Sequence, residues 1–299
     1  MAIRVPDMRP DVVPPHLWFI VSAVFHYLGP ACAVLLFPAV GVLGVAGLRI
    51  ASAAMIFAVL TRPWRTFHQS GPADRALLLG LGLCLAGMNT AFYLALDRLP
   101  MSLVAAIEFV GTVGVALCGL RSGRNLLALV LAVLGVALMI DVRWASDPVG
   151  LGWAALNGAL FVLYILLGHR AASGGGAGGI ARLGAAMTVA LIAVAPLALP
   201  AVVTILDRPI LLLAGIGVGI ASSVVPYVCD QLAMARLPRV SFALLLSLLP
   251  ASATVIGVVV LAQLPAWRDL AGVALVMAGV GLHRPPTADD HVRARGRAP

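Results

Sequence analysis

Ten nearly unbroken apolar runs divide the chain, at 16–37, 42–61, 74–96, 101–119, 125–141, 149–169, 179–200, 209–232, 241–261 and 267–283. A helix of roughly 20 apolar residues crosses about 30 Å of hydrocarbon, so the pattern predicts ten membrane-spanning helices. The runs are continuous rather than alternating, which excludes a β-barrel. Each must also close its own backbone hydrogen bonds in lipid, which a helix does. The expected fold is therefore an all-α integral membrane protein. Connections are short and leave no room for a separate extramembrane domain. The glycine-rich stretch SGGGAGG at 173–179 predicts a flexible tether. The polar, Arg-rich stretch 285–299 predicts a disordered cytoplasmic tail.

Composition sharpens this picture. Apolar residues make up 62% of the chain and charged residues 11%, with a mean hydropathy of +1.05. Soluble domains run at about 45–50% and 25%, so a soluble enzyme, a disordered chain and a nucleic-acid module are excluded. The lipid bilayer, not nucleic acid, is the partner implied. All 20 basic residues are Arg, and the net charge is +8. Fifteen of them fall on one set of alternating segments: Arg4, Arg9, Arg62, Arg65, Arg75, Arg121, Arg124, Arg170, Arg182, Arg236, Arg239, Arg284, Arg293, Arg295 and Arg297. Only four, Arg98, Arg143, Arg208 and Arg268, fall on the other. That asymmetry predicts an N-in, C-in topology. Trp18, Trp64, Trp144, Trp153 and Trp267 fall near the predicted interfaces, as aromatic anchors do. The first run lacks the short core and cleavage site of a signal peptide. Cys32, Cys84, Cys118 and Cys229 show no metal-ligand spacing and read as packing residues, so neither a metal nor a disulfide is expected.

The chain also repeats itself. Residues 96–100 read LDRLP and residues 234–238 read MARLP, a shift of 138; LAVLGVALM at 131–139 and LVMAGVGLH at 275–283 are related by 144. Five spans per half is an odd number, so the second half is inverted relative to the first. This predicts two five-helix repeats, at 1–145 and 146–284. Inverted repeats mark many secondary transporters, with the substrate site near midplane between them. Glycine stripes such as Gly41, Gly44 and Gly47 suit close helix contact. Gly29, Pro30, Pro196, Pro226 and Pro250 read as kinks, structural or gating.

Buried polar residues supply the candidate chemistry. Arg49 and Glu108, the one Glu in the chain, each lie seven residues into a predicted span, roughly 10 Å deep. An unpaired charge there costs at least about 2.5 kcal/mol, so they read as an ion pair or as substrate and coupling groups. His26 and Tyr27 fall mid-span in the first helix. Asn89 and Tyr93 share one face of the third, and Asn157 and Tyr164 one face of the sixth. Ser222, Ser223 and Tyr227 cluster in the eighth. Such groups are expected to face the bundle interior. Asp230, at the end of its span, is expected to face water.

The runs LFPAVGVLGVAGLRIASA (36–53) and GMNTAFYLALDRLPMSLVAAIEFVGTVGVAL (87–117) resemble the EamA family of the drug/metabolite transporter superfamily, with VPYVCDQLAMARLP (225–238) and LLPASATVIG (248–257) continuing the pattern. The likeness to bacterial threonine/homoserine exporters implies a central cavity and export of amino acids across the inner membrane by alternating access. Aromatic amino acids, other small metabolites and drugs are alternative cargo. The family's span-two Arg falls on Arg49 and its first-repeat Glu on Glu108. The second repeat departs, with Leu249 where an acidic residue usually precedes Pro250 and Ala262-Gln263 in place of Gly-Glu. Proton antiport and facilitated export both stay open, as does the oligomeric state, a monomer being the simplest. No Walker A or protease motif occurs, so neither a cofactor nor an enzyme activity is expected.

Overall fold

The computed structural model describes residues 14–119, 123–139, 147–172, 176–236, 245 and 248–282, and the regular elements among them are helical. Helices stand at all ten expected places. They are α1 (Pro15–Val34), α2 (Val42–Thr61), α3 (Pro72–Leu96), α4 (Met101–Gly119) and α5 (Gly123–Met139), then α6 (Pro148–Ala172), α7 (Gly176–Val203), α8, α9 (Leu249–Leu261) and α10 (Trp267–Leu282). Helix α8 comes in three pieces: Pro209–Gly219, a π-turn Ile220–Val224, and Val225–Met234. Among the described residues, α1, α2, α3, α6, α7 and α8 are long and apolar enough to cross a membrane. Large apolar side chains point outward, Val59 (70% exposed), Ile192 (69%) and Ile210 (79%) among them. In water such a surface would aggregate; facing hydrocarbon it costs nothing. The molecule is a multi-pass helical membrane protein.

Three local expectations change. Residues 176–179 of the glycine-rich stretch form the first turn of α7, so the tether is shorter than its composition suggests. Pro250 sits in the first turn of the described α9, where a missing N–H leaves no bond unmade, and it does not kink that segment. Two short helices, Phe37–Val40 and Pro63–Gln69, fill connections that hydropathy leaves blank, each with a proline in its first turn. Residues 173–175, Trp144, the stretch 285–299 and several counted arginines lie outside the described residues, as does the Cys118 side chain.

Small residues set the packing. Helix α5 crosses α10 so closely that a Cβ added at Gly135 would stand 2.6 Å from the Gly272 carbonyl oxygen, and one at Gly272 equally near that of Gly135. Helix α2 packs on α7, where Gly44 lies against Ala201. Helix α3 packs on α6 as α8 does on α1, and α7 packs on α3 as α2 does on α8. Exchanging each helix for the one five places along leaves these pairings unchanged.

Two loops at the α3–α4 end carry their own chemistry. Asp147 precedes α6 and accepts the Gly150 N–H at 2.9 Å, with the Arg98 guanidinium at 3.4 Å. The Gly150 bond first, and Arg98 after it, hold the Asp147 carboxyl below the usual carboxylate range. A depressed carboxyl stabilises the fold above its unfolded pKa of about 3.9 and loses that contribution as pH falls through the folded value. Asp147→Ala should therefore lower the melting temperature at pH 7, and the gap from wild type should close in melts run at progressively lower pH. After α9 the chain turns through Ala262 at φ +52°, a left-handed conformation that strains a Cβ. The EamA resemblance implies Gly there. Ala262→Gly should stabilise the protein by about 0.5–1 kcal/mol, the relieved strain less the added unfolded-state entropy, seen as a higher melting temperature in detergent.

Candidate functional site

The polar residues converge from six helices. His26 on α1, Arg49 on α2, Asn89 on α3, Glu108 on α4, Asn157 on α6 and Tyr227 on α8 line one small chamber together with Met88 and Phe92. Its free volume is about 10 Å³, room for about one water.

Arg49 depends on what α8 offers it. Pro226 has no N–H to give the Ser222 carbonyl four residues back. That carbonyl accepts from Arg49 Nη2 at 2.7 Å, and the Ser223 hydroxyl accepts from Nε at 2.8 Å. The Tyr93 ring faces the guanidinium 5.2 Å away. Close approach makes this possible: a Cβ at Gly219 would stand 2.8 Å from the Arg49 carbonyl, and one at Gly29 would meet the Ser222 backbone at 2.5 Å. Gly29 thus brings α1 onto α8. Pro30 lies inside α1, whose helix continues past it to Val34. The remaining nitrogen, Nη1, is buried with no hydrogen-bond partner among the described residues. Arg49 is 3% exposed, so this orphan donor belongs to a charge that lines the chamber.

Glu108 does not pair with Arg49 among the described residues; the salt bridge that equal depth allows is not made. Its Oε2 accepts from Asn157 Nδ2 at 3.1 Å, and its Oε1 lies 4.0 Å from His26 Nε2. Glu108 approaches Asn157 because Gly158 sits against the α4 backbone, where a Cβ would come 3.1 Å from the Glu108 Cα. Tyr227 donates to Asn89 Oδ1 at 3.2 Å, while Asn89 Nδ2 donates to the Leu85 carbonyl at 2.7 Å. Asn89 and Tyr227 are 138 residues apart, the shift of the repeated sequence motif.

Other expected site residues sit one layer out. Tyr27 is fully buried with its ring edge-on to His26 at 5.2 Å, and Tyr164 stacks against Tyr227 at 5.6 Å. Asp230 corrects an expectation. It is 7% exposed rather than water-facing, and the Ser22 hydroxyl donates to its Oδ1 at 2.5 Å. Its position at a helix end hid this, because only packing of α1 shows that the end is covered.

A second, larger cavity of about 510 Å³ opens at the α3–α4 end, lined by Asp97, Ser102, Thr254, Gln263 and Asp269 among others. Gln263 accepts the Met101 N–H at 3.1 Å and so caps the start of α4 across the molecule. Phe92 borders the chamber and Leu96, one turn along α3, borders this vestibule. No cluster of His, Cys, Asp and Glu among the described residues could hold a metal.

A buried polar chamber amid the apolar helices of a multi-pass membrane protein suits a membrane transport protein. Comparisons specify which. The threonine/homoserine exporter RhtA of Salmonella typhimurium (strain LT2) is 34% identical over 257 residues, 85% of this chain and 85% of the relative. That of Escherichia coli (strain K12) is 35% identical over the same length and shares. The chain belongs to their family, within the EamA group of the drug/metabolite transporter superfamily, and is a secondary transporter of small metabolites. No family model matches it. A crystal structure of an 18% identical protein shares the fold, with a TM-score of 0.56 over 95% of this chain and 99% of the other.

The two cavities differ in access. In a background without native cysteines, Ser102→Cys should react promptly with a water-soluble maleimide and Met88→Cys slowly, since only exposed thiolate reacts. Equal labelling, read by mass spectrometry, would show that the chamber is open.

Proposed function

We propose that the protein exports amino acids of the threonine/homoserine class across the bacterial inner membrane by alternating access. The observation that carries this reading is the pairing, in one closed chamber, of an orphan guanidinium donor on Arg49 with the Glu108 carboxylate and its Asn157 partner. A zwitterion has the complementary charges: its carboxylate takes Arg49 Nη1 and its ammonium takes Glu108. Asn89 and Tyr227 offer hydrogen bonds to a side-chain hydroxyl. The names of the RhtA relatives support the same cargo.

The chamber of about 10 Å³ is too small for any amino acid, so substrate enters only when the helices part. Ten spans in two inverted five-helix repeats, 1–145 and 146–284, supply the moving halves, and the exchangeable helix pairings support that division. With the N-terminus inside, the vestibule is the outer exit and the Phe92–Leu96 face of α3 is the barrier before it.

Purified protein in liposomes should show saturable counterflow of labelled threonine, competed by homoserine. Arg49→Lys cannot reproduce the forked bonds to α8, and it and Glu108→Gln should each lower flux by about tenfold or more, the effect of losing about 1.4 kcal/mol. Absence of threonine and homoserine flux in folded wild-type protein would defeat the assignment.

A further inference from the structure

Among the described residues two buried carboxylates, not one, stand in the polar interior, and α1 joins them. Counting along α1, Ser22 and His26 are four residues apart and share a face. Ser22 donates to Asp230 at 2.5 Å, and His26 Nε2 lies 4.0 Å from Glu108. One helical turn, about 5.4 Å, separates these rungs, a gap short enough for a single water to bridge with two hydrogen bonds. A second rail runs alongside: Tyr227 sits in the chamber one turn from Asp230 on α8, and its ring lies 5.6 Å from that of Tyr164 on α6. Tyr164 is fully buried, and its hydroxyl has no partner among the described residues.

We propose that Asp230 is a proton-binding site of the transport cycle, exchanging a proton with Glu108 along the His26–Ser22 face of α1. The assignment rests on the exporter reading above. A carboxylate buried among apolar helices carries its charge at a cost, and one hydroxyl bond offsets only part of it. Taking up a proton removes the charge. One proton passes from Glu108 to Asp230 and then to water at the α1 start of the bundle, while substrate moves the opposite way. No charge is created or left over. Among the described residues, Ser22 of α1 bonds Asp230, and Tyr164 of α6 with Tyr227 and Cys229 of its own helix lie near enough to feel its charge. His169 and Arg170 end α6. On α7, Arg182 bonds the Ala171 carbonyl at 3.1 Å and lies 3.8 Å from Asp74. The site would give a chain with Leu249 and Gln263 in place of acidic residues its own route for a coupled proton.

Asp230→Asn keeps the shape and an acceptor for Ser22 but cannot bind a proton. In liposomes, threonine counterflow, which needs no gradient, should persist, while flux driven by an imposed pH gradient should fall by about tenfold or more. Asp230→Glu should restore gradient-driven flux. Gradient-driven flux left intact in Asp230→Asn would overturn the proposal. Infrared titration of the reconstituted protein gives a readout that needs no substrate. A carboxylic C=O band that appears and disappears with pH, and is missing in Asp230→Asn, is the expected result. If wild type carries no threonine, or Asp230→Asn carries none, the band decides: its presence supports proton exchange at Asp230, and its absence overturns it. Failure of the cargo assignment is thus distinguishable from failure of the proton site.

Discussion

A guanidinium seven residues into an apolar helix keeps its charge, because no proton loss can neutralise an arginine in a protein. It must therefore be given donors' partners by the protein itself, and the arrangement around Arg49 meets that demand piece by piece. Pro226 releases a carbonyl, Ser223 adds a hydroxyl, and Tyr93 lays a ring beside the charge. Gly219 and Gly29 remove the side chains that would hold α2 and α1 away from α8. Helix α8 is interrupted by a π-turn at the same place. The break in its regular bonding is what makes backbone available to a buried cation.

Partial satisfaction is what the proposed substrate site rests on. Two of the three guanidinium nitrogens are held, and the third is left without a partner among the described residues. Glu108 is similarly half-committed, with one oxygen on Asn157 and the other at 4.0 Å from His26. A direct Arg49–Glu108 salt bridge would have quenched both charges and left nothing for a ligand. Holding them apart in a chamber of about 10 Å³ keeps the charges costly, and the proposed zwitterionic substrate would relieve that cost by entering between them.

The departures from the family pattern acquire physical content in the same way. Gln263 is neutral where an acidic residue is usual, and its amide oxygen caps the first N–H of α4. Ala262 adopts the left-handed turn that Gly would take without strain. Acidity lost from α9 does not leave Glu108 alone, since Asp230 lies buried under α1.

Hydropathy alone was enough to locate the long helices, though not the two short ones in the connections, and the lone Arg49 and Glu108 in apolar runs announced themselves by their cost in hydrocarbon. His26, Asn89, Asn157 and Tyr227 were visible for the same reason: a polar group in lipid must face inward. Which of them share a chamber was decided only when six helices packed, because a cavity shared by residues up to 201 positions apart, as by His26 and Tyr227, has no local signature. Asp230 was misjudged at the sequence level because burial at a helix end depends on what packs over it, and Ser22 arrives from 208 residues away. The absence of an Arg49–Glu108 bridge was likewise settled by packing. Depth along a helix follows from counting residues, whereas rotation about its axis follows from the small residues at each crossing.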